Sequence, residues 1–339
     1  MRPPLSAVRQ DSVVVEAPAR LHLGFMDLSS GAGRRFGSVG LTLDGVGTRV
    51  CAARADLRVE ADGPQRERVL RSLELLREAT GVRPGIRVLV AEAIPEHAGL
   101  GSGTQLALAV GCAFSKLFAL DLKPRDVAGM LDRGARSGIG IGAFERGGFL
   151  VDGGRGASDA PPPITSRLEF PDAWRVVLIL HSAAQGLHGA AEKAAFRSLP
   201  PFPEGRAAYL CRLVVMSLLP ALAERDLFGF GRAVNELQRT IGDYFAPAQG
   251  GRFASPLVAD ALARLEAEGV TCFGQSSWGP TGFAVVESEV MAWKAVALLE
   301  KHFAGTGLDF VVARGRNRGG DVSAVPLANV HTQRGLLGR

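Results

Sequence analysis

The chain has few aromatic side chains and no concentrated block of charge. Aromatic residues make up 6% of its 339 residues, and its 39 lysines and arginines, which give a net charge of +5, are spread along the whole length. Nucleic-acid-binding surfaces cluster basic residues and interleave aromatic ones. We therefore expect no nucleic-acid partner. The mild positive charge favours anionic small substrates.

Cysteine and long apolar runs are also scarce. The four cysteines, at positions 51, 112, 211 and 272, are far apart and form no Cys-x-x-Cys pair, which argues against a zinc site or a disulfide framework. Reduced thiols are typical of the cytosol, so we expect a cytoplasmic protein. The first residues lack the apolar segment of a signal peptide. The most apolar helix is too short to span a bilayer, and we expect no membrane partner.

The length allows two domains, and 47% apolar residues are enough for sizeable cores. A proline-rich stretch at 157–163 predicts a linker or a long surface loop, and we place a first domain at 1–156 and a second at 164–339. Apolar patterns predict separate strands at 39–43 and 48–52 and a helix at 124–136. Strands and helices mix without strict alternation, which favours an α+β fold.

A glycine-rich turn lies between a predicted strand at 86–90 and an apolar helical run at 106–114. Glycines let backbone N–H groups approach a ligand closely, and the helix that follows adds free N–H groups and the positive end of its dipole. Phosphate or pyrophosphate is the natural occupant; a tight turn without a ligand is the alternative. The predicted phosphate-binding residues are Gly99, Leu100, Gly101, Ser102, Gly103, Thr104 and Gln105.

Three motifs occur in one order: Pro-Ala-Arg-Leu-His-Leu at 18–23, Pro-x-x-x-Gly-Leu-Gly-Ser-Gly at 95–103, and Gly-Gln-Ser-Ser-Trp-Gly-Pro-Thr at 274–281. Together they resemble the GHMP kinase superfamily. Within it, the chain resembles the β-ribofuranosylaminobenzene 5′-phosphate synthases of methanopterin biosynthesis, through Arg20-Leu21-His22 with Asp27-Leu28, the stretches 33–41 and 142–149, and the third motif. The resemblance extends from about residue 13 to about residue 325.

The resemblance implies a fold and a reaction. The fold is GHMP kinase-like, with an N-terminal part similar to domain 2 of ribosomal protein S5 and a ferredoxin-like C-terminal part. The reaction joins phosphoribosyl pyrophosphate to 4-aminobenzoate and releases CO2 and pyrophosphate, in tetrahydromethanopterin biosynthesis. The alternatives are an ATP-dependent GHMP small-molecule kinase and a non-enzymatic sensor of a nucleotide or phosphosugar.

Two glycines favour the synthase over the kinase. GHMP kinases often carry Ser-Gly-x-Asp, and here Gly140 stands where that aspartate would be; Gly103 replaces the second serine of the usual glycine loop. A kinase needs a positioned nucleophile and metal–phosphate contacts, which these side chains serve. The alternative is an alignment slip, with Glu145 or Asp152 supplying the carboxylate.

The resemblance also suggests roles for individual side chains. Pyrophosphate departure would be helped by the glycine loop and by Mg2+. An arginine fork suits the acceptor carboxylate, and the candidates for binding aminobenzoate or ribose are Arg20, Arg34, Arg35, Arg146, Gln275, Ser276, Ser277 and Trp278. Arg34 and Arg35 have surface ion pairs as their alternative. Trp278 would stack on the acceptor ring or pack at the domain interface.

The candidate catalytic residues are Asp27, Glu145 and His22. Asp27 would stabilise positive charge at the sugar C1 or bind ribose hydroxyls, with a turn cap as its alternative. For His22, the alternative to a role in catalysis or binding is a structural role in the strand. His181 and His188 flank a loop that would close over the site. We also expect a homodimer.

Overall fold

A computed structural model describes residues 12–325, apart from 30, 185, 187 and 188. Its strands are β1 (Ser12–Asp27), β2 (Phe36–Ala55), β3 (Val59–Asp62), β4 (Gly85–Glu92), β5 (Phe149–Asp152), β6 (Ile164–Leu168), β7 (Arg175–His181), β8 (Cys272–Gln275), β9 (Gly282–Val286), β10 (Leu308–Gly315) and β11 (Asp321–Val325). Its helices are α1 (Arg66–Thr80), α2 (Ser102–Leu117), α3 (Pro124–Met130), α4 (Ile139–Glu145), α5 (Gly189–Ser198), α6 (Glu204–Leu213), α7 (Leu219–Ala223), α8 (Leu227–Gln249), α9 (Pro256–Ala267) and α10 (Glu289–Phe303), with a π-helical segment, Val214–Leu218, between α6 and α7.

The described strands form one mixed sheet that runs through both predicted domains. Its main path is β11-β1-β2-β10-β7-β9-β8, and β4 and β5 also pair with β2. Strand β10 bridges the two halves, because it pairs with β7 along six residues and with β2 at Asp44 and Leu43. The stretch 157–163 lies between β5 and β6, which themselves pair. The domain boundary stays a prediction.

Three apolar clusters hold this sheet in place. One lies between α1–α3 and β1, β2 and β4; a second lies under α6–α8; and a third lies between α9, α10 and strands β7 and β9. Strand β1 serves two of them, since Val13 and Val15 belong to the first and Leu21 and Leu23 to the second. Its register shifts between Pro18 and Arg20, where the strand passes from one cluster to the other.

Two predictions about local structure are wrong. The helix predicted at 124–136 ends at Met130, because Asp132 (φ 52°) and Gly134 (φ 84°) adopt left-handed backbone conformations that a right-handed helix excludes. The two strands predicted at 39–43 and 48–52 form one 20-residue strand, β2, because Leu43 and Asp44 pair with β10 and pairing with β1 resumes at Gly47 after a register shift.

One helical stretch, Glu204–Ala223, is long and apolar enough to cross a membrane by length and composition. A single such helix is weak support for a span, because core helices of globular proteins pass the same test. Here Leu210, Val214 and Leu218 are buried in the cluster under α6–α8, while Val215 and Met216 are exposed. One face of this stretch therefore serves as core packing.

Candidate functional site

The glycine loop joins β4 to α2 through two left-handed glycines. Gly99 (φ 80°) and Gly101 (φ 88°) both adopt conformations that disfavour other residues. A Cβ on Gly99 would lie 2.3 Å from the Ser276 carbonyl oxygen, so a side chain there would collide with the backbone. Gly101 precedes the first residue of α2, Ser102, and provides no side-chain cap. The N–H groups of Thr104 and Gln105 donate to the Gly101 carbonyl oxygen over 3.1 and 3.0 Å, which leaves those of Ser102 and Gly103 to meet an anion.

Three arginines surround this helix start. A Cβ on Gly101 would lie 3.3 Å from the Arg20 guanidinium, and one on Gly103 would lie 3.8 Å from Nη1 of Arg133 and 3.9 Å from Nη1 of Arg68. These groups line a cleft of about 400 Å³. Guanidinium groups gathered at a helix N-terminus are well suited to an oligophosphate.

Burial and mutual repulsion perturb two of these arginines. Burial lowers the pKa of Arg20 to about 10. Burial, followed by the charge of Arg68, lowers the pKa of Arg133. Positive groups that destabilise one another are relieved when an anion binds between them, and such perturbation marks functional sites.

The turn after β8 closes the cleft from the C-terminal half. The Ser276 hydroxyl donates to the Gly99 carbonyl oxygen over 2.8 Å and accepts the His22 N–H over 3.0 Å. The Ser277 N–H donates to the His22 carbonyl oxygen over 2.9 Å, and Arg20 Nη1 donates to the Gly99 carbonyl oxygen. The structure thus brings together the three motifs that the sequence analysis singled out.

His22 is buried, with 4% of its surface exposed, and neither ring nitrogen has a hydrogen-bond partner among the described residues. Burial, and then the charge of Arg20, lowers its pKa to about 3, so the ring is neutral at physiological pH. It lines a small, partly open cavity together with Phe245 and Trp278. This cavity adjoins the arginine-lined cleft, because Ser277 and Trp278 line both.

The Trp278 indole packs within an aromatic group. Its ring centroid lies 4.2 Å from that of Phe245, at an interplanar angle of 40°, and 5.3 Å from that of Phe196, at 87°. Trp278 therefore packs against other aromatic side chains, as in the alternative to stacking on the acceptor ring. Its buried Nε1–H has no partner in the described part of the chain. Stacking on a substrate ring stays a prediction.

Several predicted site residues lie away from the cleft. Asp27, at the end of β1, accepts from the Ser29 N–H over 2.7 Å and from the Ser29 hydroxyl, as in the turn cap that was its alternative. Seven residues of strand separate it from Arg20, a distance of about 20 Å. The proposed role of Asp27 at the substrate therefore stays a prediction that this geometry does not support.

The two loop arginines form local contacts. Arg34 donates to the carbonyl oxygens of Gly153 and Gly154, both over 2.6 Å. Arg35 forms a backbone bridge with Arg155 and lies over the Phe36 ring. Each arginine therefore holds the 29–37 loop against the residues that follow β5, and neither lines the cleft.

Asp152 and Glu145, the alternatives for the missing kinase aspartate, do not line the cleft. Asp152 is fully buried and accepts from the N–H groups of Ser38, Gly138 and Gly154 and from the Ser137 hydroxyl, at 2.8–3.1 Å. Burial raises its pKa, although these hydrogen bonds oppose the shift. This carboxylate is occupied in holding the segment before α4.

Glu145 and Arg146 lie at the end of α4, beside the backbone of Gly319. Gly140, at the start of the same helix, lies against Thr104: a Cβ there would be 3.0 Å from Thr104 Cγ2. The position of the missing kinase aspartate therefore faces the glycine loop, whereas Glu145 is at the opposite end of α4.

Sequence reasoning missed Arg68, Arg133 and Glu192, which all line the cleft. They come from α1, the turn after α3, and α5, and no spacing in the sequence connects these elements to the loop. His181, one of the loop histidines, contacts the Ser255 hydroxyl through Nδ1 over 2.8 Å; His188 lies outside the described residues.

The described residues contain no group of three or more histidine, cysteine or acidic side chains able to hold a metal ion. Glu192 is the acidic residue that lines the cleft, and it forms an ion pair with Arg136. Mg2+ is commonly held by one or two carboxylates together with substrate phosphates. The donor set therefore suits a magnesium ion that arrives with a diphosphate better than one bound by the protein alone.

Comparisons with known proteins agree with this architecture. Residues 67–148 match the GHMP kinases N terminal domain and residues 218–303 the GHMP kinases C terminal domain. A solved structure of homoserine kinase from Cytophaga hutchinsonii superposes with a TM-score of 0.68 at 20% identity, covering 95% of this chain and all of that one. The protein is thus an α+β protein of the GHMP kinase fold, as predicted.

Curated relatives narrow the family. The β-ribofuranosylphenol 5′-phosphate synthase of Archaeoglobus fulgidus is 33% identical over 91% of this chain and 98% of its own length. The enzyme of the same name from Methanothermobacter thermautotrophicus is 30% identical over 91% and 97%. The chain belongs to this synthase family, which confirms the resemblance drawn from the three motifs.

Proposed function

We propose that the protein joins phosphoribosyl pyrophosphate to a para-substituted benzoate, with release of CO2 and pyrophosphate, as a step of tetrahydromethanopterin biosynthesis. The acceptor expected from the sequence is 4-aminobenzoate. The name of the relatives points to a phenol product, which 4-hydroxybenzoate would give. The observation that carries the proposal is the helix start ringed by Arg20, Arg68 and Arg133.

The departing pyrophosphate would lie on this helix start. Negative charge grows on it as the bond to the sugar C1 breaks, and preorganised N–H groups and guanidinium groups stabilise such charge. Arg68 and Arg133 flank Gly103 from two elements, so they would hold a diphosphate from both sides. Mg2+, when bound to the diphosphate, would neutralise part of its charge, and Glu192, which lines the cleft, could serve as a ligand.

The reaction requires no general base. The ring carbon that carries the carboxylate bonds to the sugar C1 while pyrophosphate leaves with the C1–O electron pair. CO2 then departs, and the electron pair of its bond to the ring restores aromaticity. No proton is transferred overall. A cleft rich in arginine and poor in free carboxylates is suited to this chemistry.

A kinase is the alternative that this geometry supports less well. The nucleophilic hydroxyl of a kinase substrate is positioned by a nearby carboxylate in many enzymes. Gly140, which faces Thr104, has no carboxylate. The Asp152 carboxylate accepts hydrogen bonds from the N–H groups of Gly138 and Gly154 and is not available for this task. The glycine loop therefore serves better for a leaving pyrophosphate than for phosphoryl donation.

The direct test is release of labelled CO2. The purified protein would be mixed with phosphoribosyl pyrophosphate, Mg2+ and either 4-aminobenzoate or 4-hydroxybenzoate labelled in the carboxyl carbon. We expect labelled CO2 and an equal amount of pyrophosphate with at least one acceptor. Folded protein that releases neither, but phosphorylates homoserine, mevalonate or a sugar with ATP, would establish the kinase instead.

We further propose that the enzyme acts in the cytoplasm as a homodimer, without nucleic-acid or membrane partners. Exposed apolar side chains on the π-helical segment and at the start of α8 support the dimer: Val215 is 58% exposed, Met216 68% and Phe228 59%. Such patches often mark protein interfaces. Light scattering of the purified protein checks the proposal, and Met216→Glu should shift a dimer towards monomer.

A further inference from the structure

A small, partly open cavity beside the cleft is lined by polar groups that no described residue satisfies. Both ring nitrogens of His22 and Nε1 of Trp278 are buried without a hydrogen-bond partner among the described residues. The two side chains are 4% and 3% exposed. A buried polar group without a partner is destabilising, and such groups in a native structure call for an explanation. Both residues line this one cavity.

The cavity is small. It leaves about 20 Å³ for the centre of a water-sized group, which suffices for about one such group. A benzene ring does not fit, but a hydroxyl or amino substituent does. The ring itself has room in the neighbouring cleft of about 400 Å³, which shares Ser277 and Trp278 as a wall.

The positions of Arg20 and His22 match the two ends of the acceptor. They are two residues apart on β1, about 6.6 Å along an extended strand. Arg20 lines the cleft and His22 lines the cavity. A para-substituted benzoate carries its carboxylate and its substituent on opposite sides of one ring, over a comparable distance. The carboxylate end must face the sugar, so the substituent would point into the cavity.

We propose, building on the function above, that this cavity is the subsite for the para substituent of the acceptor, and that His22 accepts a hydrogen bond from its O–H or N–H. When the ring carbon bonds to the sugar C1, positive charge spreads through the ring to the para oxygen or nitrogen. A neutral imidazole that accepts a hydrogen bond there stabilises this charge. The charge disappears when CO2 leaves, because the electron pair of its bond stays on the ring. The proton therefore stays on the substituent.

Binding of acceptors tests the subsite without requiring turnover. Calorimetry would measure the dissociation constants of 4-hydroxybenzoate, 4-aminobenzoate and benzoate in the presence of Mg2+ and inorganic pyrophosphate. We expect wild-type protein to bind at least one para-substituted compound roughly tenfold or more tightly than benzoate. In His22→Leu this advantage should shrink to less than threefold, with the affinity for benzoate and for pyrophosphate nearly unchanged.

Thr42→Val is the matched control. Thr42 is fully buried on the adjacent strand and its hydroxyl lacks a partner in the described structure, but it does not line the cavity. This variant should keep the full advantage of para-substituted compounds. An equal advantage in wild-type and His22→Leu protein would overturn the subsite and leave the cavity as the place of a structural water only.

A measurement on the wild-type protein covers the case in which His22→Leu does not fold. The chain has six histidines, so histidine-selective nitrogen labelling gives a simple NMR spectrum. One buried, neutral imidazole should shift its ring-nitrogen resonance with 4-hydroxybenzoate or 4-aminobenzoate and not with benzoate; no such difference would also overturn the proposal. If these binding contrasts hold while no acceptor releases CO2, the subsite stands and the proposed reaction fails.

Discussion

The Ser276 hydroxyl and the Gly99 carbonyl oxygen are joined by a 2.8 Å hydrogen bond across 177 residues of chain. Because the same hydroxyl accepts the His22 N–H, one side chain connects the glycine loop, β1 and the turn after β8. The conformation of the glycine loop is thus held by the C-terminal half of the molecule.

Replacing Ser276 with alanine should loosen this connection. The buried His22 N–H would lose its acceptor, which costs about 1–3 kcal/mol of the free energy of unfolding. We expect KM for phosphoribosyl pyrophosphate to rise as well, because the loop would be less ordered. Urea denaturation and steady-state kinetics measure the two effects. Ser158→Ala, at an exposed position in the stretch 157–163, is the control and should change neither.

Two loop glycines should respond to alanine in opposite ways. Gly99→Ala places a Cβ 2.3 Å from a carbonyl oxygen at φ 80° and should destabilise the protein severely. Gly103→Ala meets no atom closer than 3.8 Å and should stabilise α2 by about 0.5–1 kcal/mol. Its methyl group would occupy the space between Arg68 and Arg133, so pyrophosphate should bind more weakly. Thermal melts and calorimetry distinguish these outcomes; equal stability of the two variants would contradict the loop geometry.

Arg68→Ala and Arg133→Ala should each weaken pyrophosphate binding by roughly tenfold to a hundredfold, as loss of a charge-assisted hydrogen bond does. Arg77→Ala is the matched control, because Arg77 lies on α1 with Arg68 but donates to the Arg83 carbonyl oxygen at an exposed site. Calorimetric titration with pyrophosphate and Mg2+ measures the affinities. A loss of the same size in the control would show that general charge, rather than the cleft, is responsible.

Acid should destabilise the protein through His22. Its pKa is near 6.5 in an unfolded chain and about 3 in the fold, so the unfolded state binds the proton more readily as the pH falls below 6.5. The contribution of the neutral ring to the free energy of unfolding is complete above pH 6.5 and is lost progressively towards pH 3. Between pH 7 and pH 5 the free energy of unfolding should fall by about 2 kcal/mol from this group.

His22→Leu should remove that part of the pH dependence. Urea denaturation at both pH values, on wild-type protein and the variant, isolates the contribution of the histidine from that of the carboxylates. Parallel pH profiles for the two proteins would show that the ring can be protonated in the fold.

The sequence was most informative where function depends on the backbone. The glycine loop, Arg20 and the Gln275–Trp278 turn were predicted as site elements, and they come together because their geometry follows from local residue types. Arg68 and Arg133 could not be predicted, since only the packing of α1 and the turn after α3 against α2 brings them to Gly103. The end of α3 was missed because the left-handed Asp132 has no marker in an apolar pattern.

The pairing of β1 with β11 has a consequence for synthesis of the chain. Ser12 pairs with Val325, and their hydrogen bond spans 313 residues. A ribosome therefore releases the N-terminal half of the sheet with one edge of β1 uncovered until almost the whole described chain has been made. The pairing of β1 with β11 is therefore completed only at the end of synthesis, and the nascent edge is a place where chaperones can act.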